Sequence, residues 1–328
     1  MRNLSLFCCI GIYQKGLTMK VRIGGQAVME GVMMKNGDRY AVSVRKPDGE
    51  IETKTERYMS ISDKYSVLKL PVLRGVVNFA ESMVVGMKTI AYSADFIEDG
   101  EEEPSRLEQW LNRHFSEKWE GVLMGGIVVL SFAIAIGLFM VLPYFLSNIF
   151  EGFGMSRPAV LLLEGLIRVG IFLGYIILIS RMNDIKRVFM YHGAEHKTIN
   201  CLEAGEELTP ENVMKYSRLH KRCGTSFLFF VMIISIIFFF FIRVDTVWLK
   251  VVLRLLLGPV IAGVSYEFIR LAGNSDNPVI TALSKPGLCL QLLTTKEPDE
   301  SMIEVAIRSV EGVFDWKTYL EKERKKRE

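Results

Sequence analysis

Residues 121–146 read GVLMGGIVVLSFAIAIGLFMVLPYFL, a run without a single charged side chain. A helix needs about 20 apolar residues to cross ~30 Å of hydrocarbon, so this run is long enough to span a bilayer. Three more apolar runs lie beyond it, at 158–180, 225–242 and 247–272. Each reaches or approaches the same length. Together they predict a mainly α membrane protein of about four transmembrane helices with a cytoplasmic α+β cap. The second run contains Glu164 and Arg168, the fourth Lys250, Arg254 and Glu267. Charges within a span belong on the bundle interior, and Glu164 and Arg168, four apart, meet on one helix face.

The connecting segments set the orientation. The connections 147–157 and 243–246 hold one arginine each, Arg157 and Arg243, against eight basic residues in 181–224 and nine in 273–328. Lys/Arg-rich loops stay on the cytoplasmic side, so the expectation is a multi-pass protein of the inner (cytoplasmic) membrane with both termini in the cytoplasm. Composition agrees: half of the residues are hydrophobic and mean hydropathy is +0.24. The net charge of +3 selects no partner, and no basic stripe for nucleic acid is present. Cys8, Cys9, Cys201, Cys223 and Cys289 are odd in number and scattered, which fits reduced thiols rather than a disulfide framework.

On this reading the chain divides into an extension (1–18), a small β-rich cytoplasmic region (19–60), an amphipathic helical region (61–120), a four-helix membrane domain (121–272) that includes the loop 181–224, and a cytoplasmic tail (273–328). The apolar stretch 4–12 is too short to span, and Met19 is the expected start. Residues 39–46 (RYAVSVRK) alternate, Pro47-Asp48-Gly49 turns, and 50–57 (EIETKTER) return, which predicts a hairpin. Asn36-Gly37 marks a second tight turn, giving a sheet of about three strands. Residues 70–97 predict an amphipathic helix for the membrane interface or the bundle. A helix over 184–205 ends at a glycine, Thr209-Pro210 opens another that ends near Gly224, and 301–313 form an amphipathic helix.

Three of the four histidines fall within residues 192–220. His192 and His196 (HGAEH) are four apart, so a helix points both imidazoles the same way, as a single metal ion requires. Glu195 stands where it can polarise a metal-bound water, and H-x-x-E-H is the string of inverted zinc metallopeptidases. His220 and Cys223 form a second short-spaced pair, the general plan of a zinc site. Four ligands make a closed structural site. Three ligands and a water make a catalytic one, with Glu195 as general base and Glu267 as a further candidate ligand. The plain alternatives are histidines that hydrogen-bond backbone or headgroups, an inert Cys223, and a Glu267–Arg254 ion pair that fixes helix packing. The glycine-rich start GGQAVMEGVMM (24–34) suits tight turns and close backbone approach and lacks the lysine of a phosphate loop. Glu30 within it is a candidate site contributor or a turn residue.

GGQAVMEGVMMK at 24–35, LPVLRG at 70–75, YHGAEHKTINCLEAGEELT at 191–209, HKRCGTSF at 220–227 and EFIRLAGNSDNP at 267–278 resemble the YqhQ-like bacterial membrane proteins. That resemblance covers about residues 20–315 and leaves out 1–18. It implies a multi-pass membrane protein, with a metal-dependent enzyme as the family's usual label.

The function expected is a zinc-dependent membrane enzyme, a hydrolase at the cytoplasmic face acting on a membrane peptide or a lipid headgroup. The alternative is a non-enzymatic membrane scaffold or biogenesis factor, its cap pinned by a structural metal or by hydrogen-bonded histidines. A transporter built on Glu164, Arg168, Arg254 and Glu267 is a third reading, though no inverted repeat supports it.

Overall fold

The computed structural model describes residues 21, 23–96, 117–242, 244, 246–275 and 277–327. The extension 1–18, the start at Met19 and most of the acidic connection 95–103 lie outside them. The chain forms two compact units, one of residues 1–97, 176–231 and 259–328, the other of 98–175 and 232–258.

In the first unit, β1 (Ile23–Val28), β2 (Gly31–Asn36), β3 (Arg39–Arg45) and β4 (Ile51–Arg57) form an antiparallel meander in sequence order. The turns match their residues: Gly37 and Gly49 take positive φ, and Asp48 accepts from the Glu50 N–H at 2.9 Å. The sheet has one strand more than expected, because the two glycines of β1 (IGGQAV) erase the alternation that reveals a strand. Glu30 closes the β1–β2 turn at φ 48°, a region non-glycine residues rarely occupy. Its carboxylate is held there by Arg187 and by the Tyr191 hydroxyl at 3.2 Å, so Glu30 is a turn residue.

Two helices cover the sheet. The first, α6 (Asn183–Ala204), ends at Gly205 in the left-handed conformation, as its glycine predicts. The second, α11 (Glu300–Val313), starts where Asp299 accepts from the Met302 N–H at 2.9 Å. Met302, Ile303, Val305 and Val310 of α11 join Val32 and Met34 of β2 and Tyr191, Ala194, Ile199 and Leu202 of α6 in one core. At roughly 1.5–3 kcal/mol for each fully buried large side chain, this core carries most of the unit's stability. The helix after Thr209-Pro210, α7 (Pro210–Met214), ends ten residues before Gly224. Side chains from α6 explain why. Lys197 Nζ bonds Met214 O (3.0 Å), His196 Nδ1 bonds Arg218 O (2.7 Å), and Asn200 Nδ2 bonds Ser217 O (2.7 Å) and Leu219 O (3.0 Å). The carbonyls are thereby satisfied outside a helix.

Around this core stand α1 (Ile61–Lys64), α2 (Leu73–Ala94), α10 (Pro278–Thr294) and α12 (Trp316–Arg327). Helix α10 follows the turn-rich GNSDNP, where Asn277 accepts from the Val279 N–H at 2.8 Å and Pro278 takes the first helical position.

Among the described residues the remaining helices are α3 (Glu117–Ile136), a π-helical segment Gly137–Val141, α4 (Leu142–Gly152), α5 (Arg157–Ile179), α8 (Gly224–Phe240) and α9 (Val247–Asn274). Among the described residues three stretches are long and apolar enough to cross a membrane: Val129–Gly152, Arg157–Ile179 and Trp248–Asn274. That is one fewer than expected. The run 225–242 yields α8, whose 17 residues span about 26 Å, short of the ~30 Å core.

Within the second unit Glu164 binds two arginines. Arg168 Nη2 donates to Oε1 at 2.7 Å and Arg254 Nη2 to Oε2 at 2.9 Å. Arg168 also donates to Phe139 O (3.0 Å) in the π-helical segment and to Ser235 Oγ (3.3 Å). Both guanidiniums lie over the Phe239 ring. Glu164 and Arg168 do pair across one helix face. Arg254 takes Glu164 rather than Glu267.

Candidate metal centre

The HGAEH motif sits in the middle of α6, and its i, i+4 spacing sends both imidazoles out on one side, their rings 4.4 Å apart. Cys223 closes the set from the residue before α8. The ligand atoms of His192, His196 and Cys223 all lie within 4.8 Å of one another. Two nitrogens and a sulfur at this separation suit zinc or a similar borderline metal. Each imidazole is also oriented from behind. Nδ1 of His192 meets Thr294 O at 2.9 Å and Nδ1 of His196 meets Arg218 O at 2.7 Å. A carbonyl only accepts, so Nδ1 carries a proton and Nε2 is the nitrogen left to ligate a metal when the imidazole is neutral, the arrangement that supports metal-binding histidines.

Two glycines make the geometry feasible. Gly193 lies where the chain at Lys296 crosses α6, and a Cβ there would collide with Lys296 O. The crossing is fixed by the Lys296 N–H, which donates to Phe189 O at 2.8 Å, and it delivers Thr294 O to His192. Gly25 of β1 lies against Glu195, whose Cδ would be 3.0 Å from a Cβ at that position.

The electrostatics divide the titratable groups sharply. Burial alone would raise the Cys223 thiol, but His192 and His196 beside it hold it well below its ordinary value. Burial likewise works to lower His192, yet Cys223 and then Glu195 drive it up to about 9. The pair therefore tends toward thiolate and imidazolium, and a thiolate is the form that ligates a metal. Cys201, buried without such neighbours, is pushed up to about 12. Burial also raises Glu195, against the pull of the two histidines. Its Oε2 is buried without a hydrogen-bond partner, while the Gly25 N–H supports the carboxylate.

The five residues named from sequence as ligands divide three and two. His220 turns its Nε2 to Glu203 at 3.3 Å, and its backbone is clamped on both sides by buried Gln291 (2.9 and 2.8 Å). Glu267 pairs with Arg74, whose Nε donates at 2.6 Å, and accepts from the Val72 N–H at 3.3 Å. Neither offers an atom to the group of three. The carbonyls of Thr294 and Arg218 leave no mark in the sequence, because backbone acceptors carry no residue signature, and the side chains of Glu203 and Gln291 reach residue 220 from 17 and 71 positions away. Gly25 and Gly193 do leave one, a glycine as the second residue of each motif.

The family model for a protein of unknown function, DUF1385, matches residues 70–316. An uncharacterized protein of Bacillus subtilis (strain 168), YqhQ, is 37% identical over 294 residues, covering 87% of this chain and 90% of that protein. The chain belongs to the DUF1385 family, whose function is unknown. No solved structure matches it.

Proposed function

We propose that this protein is a membrane-bound, zinc-dependent hydrolase whose centre is His192, His196 and Cys223, with Glu195 as general base. The observation that carries the proposal is the pairing of three converging ligand atoms with a buried carboxylate oxygen that has no partner. Three protein ligands leave a fourth position for water or substrate, as catalytic zinc sites do. Zinc bound there would lower the pKa of a water and polarise a carbonyl or phosphoryl oxygen. The chain's own residues do the rest. Thr294 O and Arg218 O keep both Nε2 atoms turned inward. Glu195 Oε2 takes the proton from the attacking water, and burial places its affinity for that proton above an ordinary carboxylate's, toward the range a base needs. The excess of Lys/Arg in 181–224 and 273–328 supports a cytoplasmic location for the centre.

The test is zinc content and turnover in detergent-purified protein. Wild type should hold about one zinc per chain, and His192→Ala with His196→Ala should hold none. Glu195→Gln should keep zinc and lose ~10²–10⁴-fold in rate. A second reading, a scaffold pinned by a structural metal, draws on how closed the cluster is: Cys223 Sγ lies 3.2 Å from His192 Nε2 and accepts the Thr225 N–H at 3.3 Å. It predicts zinc without turnover and cells indifferent to Glu195→Gln. A carefully unchelated wild type without metal would overturn both metal readings.

A further inference from the structure

Helix α2 is inside out by the standard of a water-soluble protein. Its buried positions are Gly75, Glu81, Val85, Gly86, Thr89 and Ser93. Its exposed positions include Leu73, Met83, Val84, Met87 and Ile90, from 41% to 66% accessible. These recur at helical spacing and form one continuous apolar stripe. Water rejects such a surface, so something apolar covers it.

Where α2 is fastened identifies the cover. Gly75 lies so close to α9 that a Cβ would be 2.8 Å from Gly263 O and from Tyr266 Cβ, and Asn78 Nδ2 donates to Tyr266 Oη at 2.9 Å. Arg74 adds its pair with Glu267. Glycine-on-glycine approach is how helices associate in lipid. Gly263 stands about 23 Å along the Trp248–Asn274 stretch, within the depth of a ~30 Å hydrocarbon layer. The first turn of α2 is thus tied to a membrane-type helix at a depth that lipid occupies. Further along, Gly86 meets the Gln26 side chain of β1. Between α2 and the β1–β2 hairpin opens a cleft of about 320 Å³ lined by Gly24, Gly25, Gln26, Lys35, Ser82 and Val85. It offers an ammonium, an amide and a hydroxyl, and Gly25 on its wall is the residue that supports Glu195. Burial lowers Lys35, with Glu81 pulling the other way.

We infer that the exposed face of α2 is seated against lipid acyl chains and that the cleft receives the head of an anionic phospholipid, bringing an amphiphile from the bilayer to Glu195. As a statement of substrate class this rests on the hydrolase reading. As a statement of lipid binding it does not.

The experiment keeps the two apart. Met87→Trp is introduced into the full chain, reconstituted in vesicles of phosphatidylcholine and phosphatidylglycerol with bromine on the acyl chains, and read as the difference from the parent's tryptophan emission. Strong quenching by the bromolipid and weak quenching by aqueous acrylamide is the result expected. The same quenching should appear when His192→Ala and His196→Ala are added, so the lipid surface stands even if the metal centre fails. In parallel, Lys35→Glu should retain about fivefold less phosphatidylglycerol through detergent washing than wild type, with phosphatidylcholine unchanged. Quenching by acrylamide alone would put α2 in water, and protection from both quenchers would put a protein there; either overturns the inference. Equal phosphatidylglycerol in wild type and Lys35→Glu overturns the headgroup site.

Discussion

Two buried polar sets in this protein look alike in a list of residues and differ in what they leave over. Glu164, Arg168 and Arg254 spend nearly all of their hydrogen-bonding capacity on one another, on Phe139 O and on Ser235, with Arg254 Nε the exception. His192, His196, Cys223 and Glu195 are also largely enclosed, yet three ligand atoms converge there and the buried Glu195 Oε2 has no hydrogen-bond partner. A saturated set fixes helices. On the proposed reading the second set takes a ligand, which would offset the cost of burying a polar atom without a partner.

That contrast can be broken by mutation. The largest loss should come from Glu164→Gln, which leaves two guanidiniums in apolar surroundings without a counter-charge; about 3–5 kcal/mol is expected, read as a fall in Tm in detergent. If Glu164→Gln were neutral, the two sets would not differ as argued. Next comes the ligand contribution at the other set. Zinc at about 100 times its Kd should stabilise wild type by roughly 2.7 kcal/mol and leave His192→Ala with His196→Ala unmoved, a difference visible in the Tm shift on adding zinc. Gly193→Ala should cost about 1–3 kcal/mol despite alanine's better helix propensity, since its Cβ collides with Lys296 O, and should weaken zinc retention as well as Tm. Glu203→Gln should be mildest, about 1 kcal/mol with zinc content intact, because Glu203 supports His220 and not the group of three. Zinc loss in Glu203→Gln would bring His220 back among the ligands.

The same contrast shows what the sequence could disclose. The Glu164–Arg168 pair and the HGAEH helix were legible because a single helical period places both partners. The Pro47-Asp48-Gly49 hairpin and the glycine end of α6 were legible for the same local reason. Strand β1 is masked in the sequence by its own glycines, and α7 is shorter than its sequence predicts because Lys197, His196 and Asn200 capture carbonyls within 214–219 from another element. Helix α10 has no clear start in the sequence, because in GNSDNP the residues that cap a helix are also those that turn a loop. The fourth span fell short by about a turn, a margin that hydropathy runs do not resolve. The partners of Arg254, His220 and Glu267 all come from distant positions, so no spacing rule could have assigned them.

The crossing at Gly193 has a consequence in time. His192 and His196 leave the ribosome about 100 residues before Thr294, whose carbonyl orients His192, and the glutamine that clamps residue 220 is Gln291. At about 5–20 residues per second the first of these emerges roughly 5–20 s after the histidines. The nascent chain therefore shows its imidazoles to the cell well before it can hold them in register. If the proposed metal binds, one captured in that interval would meet loose ligands and leave easily, and the finished geometry arises only once the last fifth of the polypeptide has been made.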